Sequence, residues 1–230
     1  MTDWRFLATK YFTRRKYGYG FAWDWKTGLE AAGSEDFNEP AILGKGKDFI
    51  DGGAAYGFWS IRAAKHYDRV VAVEPDGKTF NLLQKNVKVN SLRNVVCLKS
   101  ALGSENGRMM FYENGDAESS ILSSHMGKRA TGPRVWVDMV TIDKLVEDEK
   151  MSPSVIKLDI EGAELKALEG AINTIERFRP ILLVEVHHPV LSEQVERSLP
   201  DYEWKTRWRY LNTNQYPFDK QPHMEGRPRM

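Results

Sequence analysis

Residues 48–76 read DFIDGGAAYGFWSIRAAKHYDRVVAVEPD, and the order of patterns in this stretch decides the fold. The apolar run 48–51 stops at two glycines, which is typical of a strand followed by a turn. Segment 58–67 then places apolar residues at steps of three, a helical spacing. The β-branched run 69–74 predicts a second strand that ends before Pro75. Strand, helix and strand joined by short turns indicate a parallel sheet wrapped by helices.

The same alternation continues along the chain. The pattern predicts a helix over 78–89 and a third strand over 94–100. A fourth strand is expected at 154–159, a helix with apolar positions between 165 and 175, and a fifth strand at 180–186. Right-handed crossovers between these strands predict a doubly wound, Rossmann-like α/β fold with a mostly parallel sheet.

The flanking regions are less regular. Residues 101–141 carry many glycines and predict extra strands with a mobile loop near 114–131. Residues 201–218 alternate aromatic and polar side chains, which favours a C-terminal antiparallel strand pair. The aromatic N-terminal extension is interpreted either as packing near a binding site or as a surface arm. The expected organisation is an extension over 1–46, a main domain over 47–220 and a frayed tail over 221–230.

Composition excludes several classes of protein. The chain has 230 residues, 33 Lys and Arg against 32 Asp and Glu, and a net charge of +1. This balance gives no reason to expect a nucleic-acid partner. A single cysteine, Cys97, excludes an internal disulfide and a Cys-rich zinc module. Without an N-terminal apolar segment or an apolar run near 20 residues, we expect a cytoplasmic protein that does not span a membrane.

The glycine turn and Glu74 together predict an adenosine-containing ligand. Chemistry in an open α/β sheet collects at the carboxyl ends of the strands. Gly52 and Gly53 allow backbone to approach a ligand closely, and Glu74 follows Asp51 by 23 residues. An acid about 20 residues after such a turn accepts hydrogen bonds from ribose hydroxyls. The alternative is a tight turn with a solvated glutamate at the end of a strand.

The spacing of the glycines favours S-adenosylmethionine over a dinucleotide. Dinucleotide enzymes use G-x-G-x-x-G, whereas the glycines here stand at 52, 53 and 57. Asp51 would repel a pyrophosphate and favours a cationic group such as a sulfonium or an ammonium. An NAD(P)-dependent oxidoreductase and a non-catalytic adenosine-binding module are the two alternatives.

Four runs of sequence carry a resemblance to a known family. They are FIDGGAAYGFWS at 49–60, VEPD at 73–76, VTID at 140–143 and VIKLDIEGAE at 155–164, and PILLVEVH at 180–187 continues the match. The chain resembles the FkbM-type methyltransferases over about residues 48–188. The resemblance implies a class I methyltransferase fold, S-adenosylmethionine as donor, and a hydroxyl of a sugar or polyketide-like product as acceptor. Ala55 departs from the pattern, since the family often has Asn there.

The resemblance also implies a set of site residues. Glu74 would hold the ribose, and Ser60 would reach the carboxylate of the cofactor. The full set implied for the cofactor is Asp51, Gly52, Gly53, Ala54, Tyr56, Gly57, Ser60, Glu74, Pro75, Ser100, Ala101, Leu102 and Asp159.

Deprotonation of an alcohol acceptor requires a base or a metal ion. The candidates at the ends of the fourth and fifth strands are Asp159, Glu161, Glu185 and His187. His187 has the most suitable intrinsic pKa for a base. The same oxygen and imidazole ligands leave a divalent ion, Mg²⁺ or Mn²⁺, open. The alternative for Glu161 and Glu164 is a favourable interaction with the following helix dipole.

A small molecule or a glycan is the expected partner, and the sequence leaves a homo-oligomer open.

Overall fold

The computed structural model describes residues 44–113, 124–125, 128–129, 133–186, 189–210 and 220–229. The strands are β1 (Gly46–Gly52), β2 (Tyr67–Val73), β3 (Val95–Leu98), β4 (Ala101–Leu102), β5 (Gly107–Tyr112), β6 (Ser124–His125), β7 (Lys128–Arg129), β8 (Arg134–Val140), β9 (Pro153–Leu158), β10 (Ile181–Glu185), β11 (Tyr202–Tyr210) and β12 (Lys220–Pro228). The helices are α1 (Phe58–Ala63), α2 (Gly77–Val89), α3 (Ile142–Asp148), α4 (Glu164–Glu169), α5 (Ile172–Phe178) and α6 (Pro189–Ser198).

The described residues form a seven-stranded sheet in the order β11-β12-β10-β9-β1-β2-β3. β1 pairs in parallel with β2 and β9, and β9 pairs in parallel with β10. β12 runs antiparallel to β10 and to β11. A smaller sheet has the order β4-β8-β5. The mostly parallel sheet confirms the predicted α/β class, and the expected C-terminal antiparallel pair is present.

Successive side chains of a strand point to opposite sides of the sheet, and both sides of the central strands are buried. Phe49 packs with Trp59 and Ile61 of α1. Its neighbour Ile50 belongs to the larger cluster on the other face, with Ile142 of α3. Polar chemistry is therefore confined to the ends of these strands. Among the helices that the structure describes, none combines the length and the hydropathy needed to cross a membrane.

Two predicted helices differ from the observed ones. Helix α1 ends at Ala63, and Tyr67 opens β2, where its ring lies 5.1 Å from that of Phe49. The helix expected around 165–175 is two helices, α4 and α5, separated at Gly170. A Cβ at Gly170 would lie 2.1 Å from the carbonyl oxygen of Gly103, so this glycine admits a close backbone contact.

The irregular region 101–141 contains the extra strands that its glycines predicted. β5 and β8 form an antiparallel pair, and β4 pairs in parallel with β8. The mobile loop expected near 114–131 lies outside the described residues except for β6 and β7, which pair with each other.

The prediction of a frayed tail over 221–230 is wrong. β12 lies between β10 and β11 and pairs with both of them. His223 and Met224 are buried within it. Proline, glycine and charged residues make 220–228 look irregular as a sequence, but two neighbouring strands supply backbone partners that the local pattern does not reveal. The second strand of the antiparallel pair is therefore at 220–228, beyond the predicted limit of 218.

Candidate active site

The carboxyl ends of β1, β2, β9 and β10 border one cleft, which opens to solvent. The predicted site residues that line the cleft are Gly53, Glu74, Pro75, Ser100, Ala101, Leu102, Asp159, Glu161 and Glu185. The structure adds Ala55, Val73, Phe111, Ile160 and Ala163.

The glycine turn lies directly against the end of β9. Gly53 has φ of 71°, and a Cβ there would lie 1.7 Å from the carbonyl oxygen of Asp159. The N–H groups of Gly53 and Ala54 both donate to the carbonyl of Val73 at 3.0 Å. The turn therefore fastens the ends of three strands to one another, and only glycine fits at position 53.

Ala55 adopts the left-handed conformation, with φ of 46°. Its N–H donates to Oε2 of Glu74 at 2.9 Å. This backbone contact does not depend on the side chain at position 55, so alanine preserves it. Asparagine tolerates such a φ better than alanine, which gives a physical reason for asparagine at this position in the resembling family. Alanine instead of asparagine at position 55 therefore adds backbone strain and removes one polar side chain.

Glu74 is buried in the wall of the cleft, with 6% of its surface exposed. Its Oε1 accepts from the N–H of Asp76 at 2.9 Å, and its Oε2 accepts from Ala55. Burial raises the pKa of Glu74 to about 8, against the opposing effect of these two hydrogen bonds. Each carboxylate oxygen keeps a second lone pair. Glu74 can therefore still accept hydrogen bonds from ribose hydroxyls in the cleft.

Asp51 lies beneath the cleft and is fully buried. The hydroxyl of Ser60 donates to its Oδ2 at 2.5 Å, and Nζ of Lys157 lies 3.3 Å from its Oδ1. The Ser60 hydroxyl, which the resemblance implies for the ligand carboxylate, thus donates to Asp51 in this structure. The residues of the predicted cofactor set that support the cleft without lining it are Asp51, Gly52, Ala54, Tyr56, Gly57 and Ser60.

Lys157 is a site residue that the sequence reasoning missed. Its Nζ lies 3.5 Å from Oδ2 of Asp159 and 3.3 Å from the carbonyl of Gly53, as well as next to Asp51. One buried ammonium thus links the glycine turn to the acid at the end of β9. A signal was available, because a residue two positions before Asp159 on a strand shares its face.

Three acids line the cleft, namely Asp159, Glu161 and Glu185. The exposed fractions of the Asp159 and Glu185 side chains are 29% and 15%. Glu161 is partly buried and sits in a turn with φ of 55°. Glu164 is fully buried, and its Oε1 accepts from the N–H groups of Gly162 at 3.0 Å and Ile160 at 3.4 Å. Glu164 therefore stabilises the turn that carries Glu161.

His187, the fourth predicted base, lies outside the described residues. Over the part of the chain that the structure describes, no group of three or more His, Cys, Asp or Glu residues is arranged to hold a metal ion.

His223 of β12 is a second residue that the sequence reasoning missed. Its Nδ1 lies 3.7 Å from Oε2 of Glu185. It falls within the segment predicted as a frayed tail, and the local sequence contains no signal that would bring it to the end of β10.

The far wall of the cleft comes from the small sheet and the residues before it. The Ser100 hydroxyl donates to the carbonyl of Asp138 at 2.8 Å, which ties this wall to β8. Ala101, Leu102 and Phe111 give the wall an apolar surface. Such a surface suits the flat, weakly polar ring of an adenine.

Sequence comparisons identify relatives of this chain. A family model described as the methyltransferase FkbM domain matches residues 51–216. The chain is 29% identical over 147 residues to hexuronic acid methyltransferase AglP of Haloferax volcanii. That match covers 64% of this chain and 59% of AglP, so the chain spans less than two thirds of this relative.

Solved structures show the same fold. Methyltransferase FkbM of Methylobacillus flagellatus KT superposes with a TM-score of 0.57 at 20% identity, covering 83% of this chain and 46% of that one. Precorrin-6y C5,15-methyltransferase of Geobacter metallireducens GS-15 gives 0.52 at 12% identity, with 86% and 92% covered. TrmK of M. capricolum, in complex with S-adenosyl-homocysteine, gives 0.50 at 10% identity, with 85% and 69% covered. The chain therefore has the class I methyltransferase fold.

Proposed function

Because the chain belongs to the methyltransferase FkbM domain family, we propose that it transfers a methyl group from S-adenosylmethionine to a hydroxyl of a sugar. The observation that carries the proposal is the position of Glu74, which is buried in the cleft wall beside the glycine turn and accepts a hydrogen bond from Ala55. Family membership favours methyl transfer over the oxidoreductase and the binding module that the sequence left open. The relative AglP makes a hexuronic acid the first acceptor to test.

The cleft suits the parts of this donor. Glu74 would accept from the ribose hydroxyls, and the apolar wall at Leu102 and Phe111 would contact the adenine. Asp159, Glu161 and Glu185 place negative charge where the cationic methionine end would lie. The donor supplies a methyl group bound to a positively charged sulfur, and the protein supplies alignment, which contributes about 7–11 kcal/mol in well-oriented reactions.

Glu185 is the acid best suited to take the proton of the acceptor. Asp159 lies 3.5 Å from the ammonium of Lys157, and an adjacent cation makes a carboxylate a weaker base. Glu185 borders the same cleft, and its Oε2 lies 3.7 Å from the imidazole Nδ1 of His223. The acceptor oxygen bonds to the methyl carbon, the carbon–sulfur bond breaks with its electron pair left on sulfur, and Glu185 takes the hydroxyl proton.

The test measures transfer of tritium from methyl-labelled S-adenosylmethionine to p-nitrophenyl glycosides of glucuronic acid, galacturonic acid and glucose. We expect a labelled, alkali-stable methyl ether on a uronic acid glycoside. Glu185→Gln should lower kcat by about 100-fold or more, as loss of a general base does, while binding of S-adenosylhomocysteine stays within about twofold.

Each other outcome contradicts a stated part of the proposal. An alkali-labile product would be an ester and would move the acceptor from a hydroxyl to a carboxylate. Failure of the wild-type chain to bind S-adenosylhomocysteine would contradict the donor. Binding without transfer to any of the three glycosides would contradict the sugar acceptor. If Asp159→Asn lowered kcat more than Glu185→Gln, Asp159 would be the base.

A further inference from the structure

The antiparallel pairing of β10 with β12 brings His223 opposite Glu185. Directly opposed residues of two paired strands project from the same face of a sheet. The Nδ1 of His223 lies 3.7 Å from Oε2 of Glu185, and the exposed fractions of the two side chains are 8% and 15%. A buried imidazole from the C-terminal strand therefore lies against the acid that borders the cleft.

Glu185 borders two spaces, which gives its carboxylate two directions in which to turn. One is the cleft that it shares with Asp159. The other is a small cavity on the β12 side, whose lining includes Trp59, Lys205 and His223. A carboxylate that turned into this second space would be lost to the acceptor.

Other charged residues among those that the structure describes also line the second cavity. Lys157, which also lines the second cavity, lies next to Asp51 and Asp159. Glu225 of the same cavity pairs with Arg227 at 2.5 Å. Lys205 stands opposite Glu225 in the β11–β12 pair. Among these residues, His223 is the one that strand register places directly opposite Glu185.

We propose that His223 is a positioning residue, which orients the carboxylate of Glu185 toward the acceptor hydroxyl. The proposal rests on the proposed function, because it assigns Glu185 the proton of that hydroxyl. It predicts that His223 affects the rate of transfer and not the binding of the donor.

The test compares two replacements of His223 that differ in one property. Asparagine can place an N–H close to the position of Nδ1, whereas leucine fills similar space without a polar group. We expect His223→Leu to lower kcat about tenfold or more and His223→Asn to retain most of it, with the Kd for S-adenosylhomocysteine within about twofold in both. His66→Gln is the control, because His66 is exposed in the turn after α1. It should leave kcat unchanged.

A double-mutant cycle separates positioning from general support of the fold. In a Glu185→Gln background, His223→Leu should lower kcat by less than about twofold, because the group that it orients is already gone. An equal loss in both backgrounds would overturn the proposal, and so would wild-type kcat in His223→Leu. If His223→Leu does not fold, His223→Ala takes its place in the cycle.

A spectroscopic readout needs no acceptor. The ¹⁵N shift of the His223 Nδ1 should move when Glu185 becomes Gln, while the shifts of His66 stay constant. An unchanged His223 signal would overturn the pairing. If the wild-type chain bound no S-adenosylhomocysteine, the proposed function would fail, and the ¹⁵N shift would still decide whether His223 and Glu185 interact.

Discussion

At the scale of single residues, Glu74 links binding of the donor to pH. Burial raises the pKa of this carboxyl to about 8. The ionised form accepts hydroxyl hydrogen bonds about twice as strong as those of a neutral group, so it should bind the ribose better. Below pH 8 the free protein must first lose this proton. We therefore expect the affinity for S-adenosylhomocysteine to rise by up to about tenfold per pH unit between about pH 6 and 8, and then to level off.

Calorimetric titration across this pH range measures the effect, and Glu74→Gln is the matched control. The amide cannot ionise, so its affinity should be lower and should lack the rise that Glu74 contributes. The ligand's own amino group titrates identically with both proteins, and the difference between them isolates Glu74. Equal pH dependence in the two proteins would contradict the assignment of Glu74 to the ribose.

The same scale shows which parts of the site a sequence can predict. Glu74, Asp159 and Glu185 were found because each ends an apolar strand, and parallel strands end at one edge. Lys157 was missed although it lies two positions before Asp159 on the same face of β9, which is a usable signal. His223 was missed because its position depends on the pairing of β12 with β10, and His223 is 38 residues from Glu185 in sequence.

At the scale of elements, a strand can be predicted from the sequence when its own residues, rather than its neighbours in the sheet, determine its conformation. β1 and β2 were predicted because buried parallel strands are continuous apolar runs. β12 contains two prolines and a glycine, and it is a strand because β10 and β11 hold it on both sides. Its stability therefore depends on packing against those two neighbours.

Gly226 tests this packing. It lies opposite Leu182 of β10 and Trp204 of β11, and a Cβ there would approach the Trp204 ring to 2.7–3.0 Å. Gly226→Ala should lower the free energy of unfolding by about 1–3 kcal/mol through overpacking, measured by urea denaturation. Gly44→Ala is the control, since a Cβ at Gly44 would meet no atom within 4 Å. Equal stabilities of the two variants would show that β12 is not packed as described.

At the scale of the whole molecule, the cleft connects strands from both halves of the sheet. Gly53 and Glu74 directly follow β1 and β2, whereas Asp159 follows β9 and Glu185 ends β10. Lys157 joins these halves beneath the cleft through Asp51 and Asp159. A ligand in the cleft would contact elements that are distant in sequence, so its binding energy should stabilise the fold as a unit.

Thermal unfolding with and without ligand measures this coupling. At 100 times its Kd, S-adenosylhomocysteine should contribute about 2.7 kcal/mol, which corresponds to a rise in Tm of about 5–10 °C for a chain of this size. NAD⁺ at the same concentration is the matched control and should leave Tm unchanged, because the turn at 52–57 lacks the G-x-G-x-x-G spacing for a pyrophosphate. Glu74→Ala should lose most of the rise, since the cleft then lacks its acceptor for the ribose. Stabilisation by NAD⁺ without stabilisation by S-adenosylhomocysteine would assign the cleft to a dinucleotide and overturn methyl transfer.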